Sequence, residues 1–232
     1  MIKIIQRSIQ FTLIVTVLLI SCNQHDNQAN VEQEDYPDST NVSEGSLYRI
    51  KGDKNFNTGY STFTGDSLVN VIIEIPAGTL EKWEVEKSTG DLILDKKDGE
   101  YRRVNYLSYP SNYGMVPGTL SPSDKGGDGD PLDIFILGEA IERGSVVACK
   151  IIGVIELLDD GERDDKLIAV VENSPFYPIN NLTELEINFK GTTQILETWV
   201  TNYKGNNDMK VLAISDVDRA KEILMQAVND AK

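Results

Sequence analysis

Residues 127–137 read Gly127-Asp128-Gly129-Asp130-Pro131-Leu132-Asp133-Ile134-Phe135-Ile136-Leu137. The second half is a short apolar run with β-branched and aromatic side chains, which predicts a buried strand over 131–137. The first half sets three carboxylates within six residues, beside glycines that permit a tight, exposed backbone. Like charges so close repel one another, and the cluster makes sense if cations neutralise it. Hard divalent ions take oxygen ligands at roughly 2.0–2.6 Å, which carboxylates supply. The plain alternative is an acidic surface turn, since Asp-Gly pairs are common in turns. An EF-hand is excluded: with Asp124 first and Gly129 sixth, the twelfth position is Phe135, where glutamate is needed.

Other strands surround this one. Val69–Ile75 is mostly β-branched and stops at Pro76-Ala77-Gly78. Lys82–Glu86 alternates polar and apolar, the period of a half-buried strand, and turns at Ser88-Thr89-Gly90. Leu92–Leu94 follows, and Lys96-Lys97-Asp98-Gly99 reads as a hairpin turn. Further strands are expected over 145–158 and 166–171, and helical character appears only late, around Leu182–Thr201 and Asp216–Asp230. Strands followed by helices predict an α+β fold with a small barrel or strongly curled sheet at its core.

A second acidic group, Asp159-Asp160-Gly161-Glu162-Arg163-Asp164-Asp165-Lys166, lies between two apolar runs and reads as a hairpin tip. Asp164 and Lys166 are two apart on the outgoing strand and share a face. Such a pair suits a site holding metal and phosphate, and equally an ordinary surface ion pair. Lys82 and Glu84 share a strand face in the same way. Arg102-Arg103, Tyr109 and Tyr113 within Tyr-Pro-Ser-Asn-Tyr-Gly, and Tyr203-Lys204 complete a set of cations and phenols. Carboxylates for metals, with cations and phenols for phosphoryl oxygens, are what a pyrophosphate site requires.

The whole-chain balance excludes several classes. A net charge of −15 argues against nucleic-acid binding, which needs a basic patch. The single histidine, His25, sits in a polar stretch near the N-terminus, which excludes most Ser/His and Cys/His catalysis and a histidine-rich zinc site. No P-loop or dinucleotide fingerprint is present. Cys22 and Cys149 could pair in principle, but Cys149 falls in an apolar strand and reads as a buried, inert thiol.

The N-terminus reads as a leader. Lys3 and Arg7 precede an apolar run from Ile9 to Ile20. As a helix it would reach ~18 Å, short of a ~30 Å hydrocarbon core. A basic segment before a short apolar one is the signal-peptide pattern. It ends in Leu19-Ile20-Ser21-Cys22, which resembles a bacterial lipobox with cleavage before Cys22. Loss of residues 1–21 removes Lys3 and Arg7 and no acid, taking the charge from −15 to −17. Residues 22–45 are polar and acidic, the composition of a flexible linker. The expected organisation is therefore a signal peptide over 1–21, an acylated Cys22 with its linker to residue 45, and one domain over 46–232.

The Asp-Gly-Asp-Pro-Leu-Asp run, together with Ile73-Glu74-Ile75-Pro76, Lys82-Trp83-Glu84, Tyr109 to Gly114, the Asp159–Lys166 hairpin and Tyr203-Lys204, resembles family I soluble inorganic pyrophosphatases over roughly residues 68–230. That resemblance implies a five-stranded, OB-like barrel with two main C-terminal helices packed against it. It implies Mg²⁺-dependent hydrolysis of pyrophosphate to two phosphates, with Mn²⁺ as another possible ion. Asp128, Asp133, Asp159 and Asp164 would ligate metal. Asp130 would accept the proton, with Tyr109 beside it in the catalytic group. Lys82, Arg102, Tyr113, Lys166, Tyr203 and Lys204 would contact phosphate, and Glu74 and Glu84 would support the site. Spacing to Tyr109 favours Arg102 as the family's arginine, with Arg103 open. The resemblance also implies a homo-oligomer. The lipobox departs from the familiar cytoplasmic members and implies an extracytoplasmic protein held to a membrane at Cys22. A catalytically silent cation-binding lipoprotein and a phosphohydrolase for larger substrates are the competing readings.

Overall fold

The computed structural model describes residues 47–65, 67–205 and 209–232. The expected signal peptide, Cys22 and most of the linker lie outside these residues. Eight strands and three helices organise the domain. They are β1 (Leu68–Ile75), β2 (Trp83–Val85), β3 (Leu92–Leu94), β4 (Asn112–Met115), β5 (Asp133–Leu137), β6 (Val146–Asp159), β7 (Lys166–Val171), α1 (Leu182–Asn188), α2 (Thr192–Asn202), β8 (Met209–Asp216) and α3 (Val217–Asp230). Shorter pairings decorate this frame, including Arg49–Ile50 on β3.

Five strands close on themselves. β1 pairs with β4, β4 with β5, β7 with β6 and β6 back with β1, all antiparallel, while β5 and β7 run parallel. The result is a mixed five-stranded barrel and an α+β class, as the strand-first pattern predicts. β6 is long enough to serve two partners: Val146–Cys149 pair with β1, and Gly153–Asp159 pair with β8.

Both faces of the curled sheet are buried, which explains the nearly continuous apolar runs in β5, β6 and β7. Ile134 and Ile136 join Val71, Ile73, Leu167 and Ala169 in one cluster, closed by Ala220, Leu224 and Ala227 of α3. Phe135 and Leu137 join Ile72, Ile168 and Val170 in the other, with Leu185, Leu196 and Trp199 of α1 and α2. Cys149 is a free, buried thiol, and burial pushes its pKa up to about 12. Among the described residues no helix is long and apolar enough to cross a membrane.

Two details differ from the sequence pattern. The helical stretch expected as one is two, because the chain breaks at Phe189–Gly191, where Gly191 takes φ 84°. Three helices therefore stand where two main ones are expected. The strand β4 is not among those expected from the sequence: it contains Asn112 and Gly114, residues uncommon in strands, yet all four of its residues are buried. Gly114 is needed there because a Cβ would lie 1.9 Å from the Ile72 carbonyl oxygen. That obstacle is backbone, so Gly114→Ala should push β1 and β4 apart. The expected cost is ~1–3 kcal/mol or more, visible as a lower urea midpoint, and an unchanged midpoint would mean the two strands shift without strain.

Candidate active site

The site is built where the barrel strands end and the loops between them converge. Parallel pairing sets Lys166 at the head of β7 beside Asp133 at the head of β5. β4 and β5 pair Tyr113 with Phe135 and Met115 with Asp133, bringing the Tyr113 ring to the same mouth. Ahead of β5, the loop holding Asp128 and Asp130 is folded tightly. Gly129 adopts φ 81°, its N–H donates to the Ser121 carbonyl at 2.7 Å, and the Asp130 N–H donates to Asp128 Oδ1 at 2.9 Å. Across from it, the hairpin between β6 and β7 presents Asp159 and Asp164.

These residues line one cavity of ≈ 1140 Å³. Its walls include all fourteen residues expected from the sequence to serve the site. They are Glu74, Lys82, Glu84, Arg102, Tyr109, Tyr113, Asp128, Asp130, Asp133, Asp159, Asp164, Lys166, Tyr203 and Lys204. Arg103 is not on the wall and pairs with Glu81 at 3.3 Å, whereas Arg102 lines the cavity and is anchored by Asp95 at 2.5 Å. A second, smaller cavity of ≈ 420 Å³ opens against α3 and holds none of the fourteen.

Charges in the large cavity are paired across its acidic floor. Lys166 Nζ donates to Asp133 at 2.7 Å and to Asp164 at 2.8 Å, and the Tyr113 hydroxyl donates to Asp133. Lys204 pairs with Asp159, Lys82 with Glu84 at 2.7 Å, and Lys87 with Asp130 at 2.5 Å. The same-face pairs expected for Lys82/Glu84 and Asp164/Lys166 are both formed. Lys87 and Asp95 are the site neighbours that the sequence leaves unmarked. Lys87 acquires its place from Asp130 on another loop and Asp95 from Arg102 across a short hairpin, and neither belongs to a motif.

Burial tunes these groups. Burial opposes the Lys166 ammonium, but Asp133 and Asp164 outweigh it and hold its pKa well above the lysine range. Burial raises the Asp133 carboxyl against the pull of Lys166. It pushes Asp128 up to about 7, and it pushes Glu74, with help from Asp133, up to about 8. Tyr109 and Tyr113 are likewise held above the ordinary phenol value by burial. Tyr109 rests on Trp199, which also stacks on the ring of Tyr203 at 4.6 Å.

Glu74 gives a clear linkage. Its folded pKa lies above the unfolded value, so the folded state binds the extra proton and stability falls as pH rises from about 4.5 towards about 8. Glu74→Gln should remove that slope in metal-free protein and raise the alkaline melting temperature relative to the parent. Parallel stability–pH curves for the two proteins would contradict it. The amide can still accept the Val85 N–H that Glu74 accepts at 2.9 Å.

The floor fits hard cations. Asp159 Oδ1 is buried with no hydrogen-bond partner in the protein. Burial also leaves Asp128 and Asp133 reluctant to ionise alone, a penalty that a bound cation offsets. Among the described residues no three carboxylates are gathered into a finished cage, and Lys166 and Lys204 stand between them.

Fold and site together define a barrel enzyme whose open end is furnished for a small polyanion and its accompanying cations. Residues 71–232 match the family model described as inorganic pyrophosphatase. The inorganic pyrophosphatase of Campylobacter jejuni is 32% identical over 168 residues, spanning 71% of this chain and 92% of that protein. The soluble inorganic pyrophosphatase 2 of Chlamydomonas reinhardtii is 35% identical over 169 residues, 70% of this chain and 80% of that one. Among solved structures, the type I inorganic pyrophosphatase of Toxoplasma gondii superposes with a TM-score of 0.72 at 26% identity, covering 77% of this chain and 87% of that one. The inorganic pyrophosphatase of Thermus thermophilus gives 0.65 at 25% identity, covering 76% and 98%. The chain belongs to the inorganic pyrophosphatase family.

Proposed function

We propose that this protein hydrolyses inorganic pyrophosphate to two phosphates at the cavity just described, using Mg²⁺ held by Asp128, Asp133, Asp159 and Asp164. The observation that carries the reading is the convergence of five aspartates and six phosphate-seeking side chains on one cavity wall. Divalent cations held there would offset the charge of the substrate and make water a stronger nucleophile near neutral pH. Asp130, half-exposed at the cavity edge, accepts the proton of the attacking water at its carboxylate. Lys82, Arg102, Lys204, Tyr113 and Tyr203 orient the substrate by donating to phosphoryl oxygens, with Lys166 fixed at the floor. The new P–O bond forms as the bond to the bridging oxygen breaks, and the departing phosphate carries that oxygen away. Tyr109 backs the catalytic group, and Glu74 and Glu84 hold the strand that presents Lys82.

The test is phosphate release from pyrophosphate by the purified protein with Mg²⁺ and with EDTA. Rapid release abolished by EDTA is expected, with ATP and tripolyphosphate as poor substrates. A folded protein releasing no phosphate with Mg²⁺ or Mn²⁺ would leave the silent cation-binding reading in its place.

We further infer that residues 1–21 are a signal peptide, that Cys22 is lipidated, and that residues 22–45 tether an extracytoplasmic, homo-oligomeric enzyme to a membrane. The basic segment, short apolar run and Leu19–Cys22 sequence support the leader and the anchor; the homo-oligomer rests on the family resemblance alone. In a bacterial host, Cys22→Ser should shift the protein out of the membrane fraction, and an unchanged distribution would remove the anchor.

A further inference from the structure

The smaller cavity opens against the backs of the two loops that present the site's aspartates. Arg163 and Asp165 line it, whereas Asp164 between them lines the catalytic cavity, as alternation along an extended chain dictates. Arg163 Nη2 lies 2.5 Å from Glu156, and its Nε donates to Asp165 at 2.8 Å. Glu156 and Asp165 are only 9% and 6% exposed, so neither is satisfied by solvent. Asp165 also accepts the Leu157 N–H at 3.1 Å, and Glu156 accepts the Ser215 hydroxyl at 2.6 Å.

The backbone of Arg163 faces the other loop. Its N–H donates to the Gly126 carbonyl at 2.7 Å, in a parallel bridge with Gly127, and its carbonyl accepts from Ser121 Oγ at 3.4 Å. One residue thus joins the hairpin carrying Asp159 and Asp164 to the loop carrying Asp128 and Asp130. Five facing aspartates repel one another before cations arrive, so the spacing of the two loops must be held from outside the cavity. A planar guanidinium can engage Glu156 and Asp165 together, which a single ammonium does less well.

We propose that Arg163 is a positioning residue for the cation-binding aspartates: clamped by Glu156 and Asp165, it fixes the Asp128 loop against the Asp159–Asp164 hairpin and so sets the affinity for divalent ions. The inference rests on the reading of those aspartates as cation ligands. Arg219 is a natural control. It reaches Glu156 from α3 at 3.1 Å and Glu222 at 3.1 Å, sharing the charge cluster while hydrogen-bonding to neither acidic loop.

The experiment is a Mn²⁺ titration followed by electron paramagnetic resonance, on the full protein without substrate, for the parent and for Arg163→Met, Arg163→Lys and Arg219→Met, each with a melting curve. Arg163→Met should weaken Mn²⁺ binding ~10-fold or more, the scale on which outer-sphere supports act, and Arg163→Lys less. Arg219→Met should lower the melting temperature and leave Mn²⁺ binding unchanged. In turnover, Arg163→Met should need more Mg²⁺ yet recover kcat to within about twofold at saturation, the pattern of lost ligand binding. Parent-like Mn²⁺ affinity in folded Arg163→Met overturns the proposal, as does equal weakening by Arg219→Met, which would mean general loosening. If the methionine variant does not fold, the lysine variant decides alone, and parent-like affinity there overturns it. A parent protein that binds no Mn²⁺ would instead remove the underlying assignment of the aspartates.

Discussion

Asp130→Asn is expected to lower kcat by roughly 10²–10⁴-fold, the contribution of a positioned proton acceptor, while leaving the melting curve nearly unchanged. The structural cost is small because the backbone of Asp130 keeps its bonds: its N–H still reaches Asp128 and its carbonyl still accepts from Ser121 at 2.8 Å. The side chain is 48% exposed and touches Lys87, so losing its charge strands no buried partner. An amide has nearly the same shape and cannot accept the proton. Steady-state phosphate release beside a thermal melt decides the matter, and near-normal turnover would place proton acceptance on another group.

The second large effect is expected from Lys166→Met. The side chain is 3% exposed and its ammonium holds Asp133 and Asp164 within 2.8 Å, so its removal leaves two enclosed carboxylates facing each other. Breaking a buried pair from one side costs about 3–5 kcal/mol, and metal-free protein should show that loss as a lower urea midpoint. Because Lys166 keeps its proton well above the usual lysine range, its stabilisation is fully present at neutral pH and fades only as pH climbs through that raised value. Added Mg²⁺ should narrow the gap between variant and parent, since cations at the same carboxylates replace the missing charge. Turnover should stay low even then, for lack of the floor cation. A gap that Mg²⁺ leaves unchanged would separate Lys166 from the cation site.

The readable parts of the fold were those where chemistry repeats locally. β1, β6 and β7 are β-branched runs buried on both faces, and their limits fall within a residue of the pattern. β4 was hidden because Asn112 and Gly114 resemble turn residues, and only the approach of the Ile72 carbonyl shows why a glycine belongs in a strand. β8 went unmarked because its exposed and half-buried residues do not alternate, so its side chains carry no steady period. In the site, Lys82/Glu84 and Asp164/Lys166 were legible from two-residue spacing alone. Lys87 was not, since its partner Asp130 lies on a separate loop. Asp95 and the Arg163 clamp were not, since their partners Arg102 and Glu156 lie seven residues away across a hairpin, a spacing that depends on where the turn falls.

The parallel pairing of β5 with β7 carries a kinetic consequence. Asp133 and Lys166 become neighbours only after the long β6 has run out and its hairpin has returned, a pairing distant along the chain. Loop-closure entropy is spent before such a contact returns anything, so pairings of this kind form slowly. Refolding from urea should therefore restore far-ultraviolet signal in α3 and the local hairpins before it restores cation binding. The catalytic mouth straddles this seam, so the site cannot be complete until the pairing has formed.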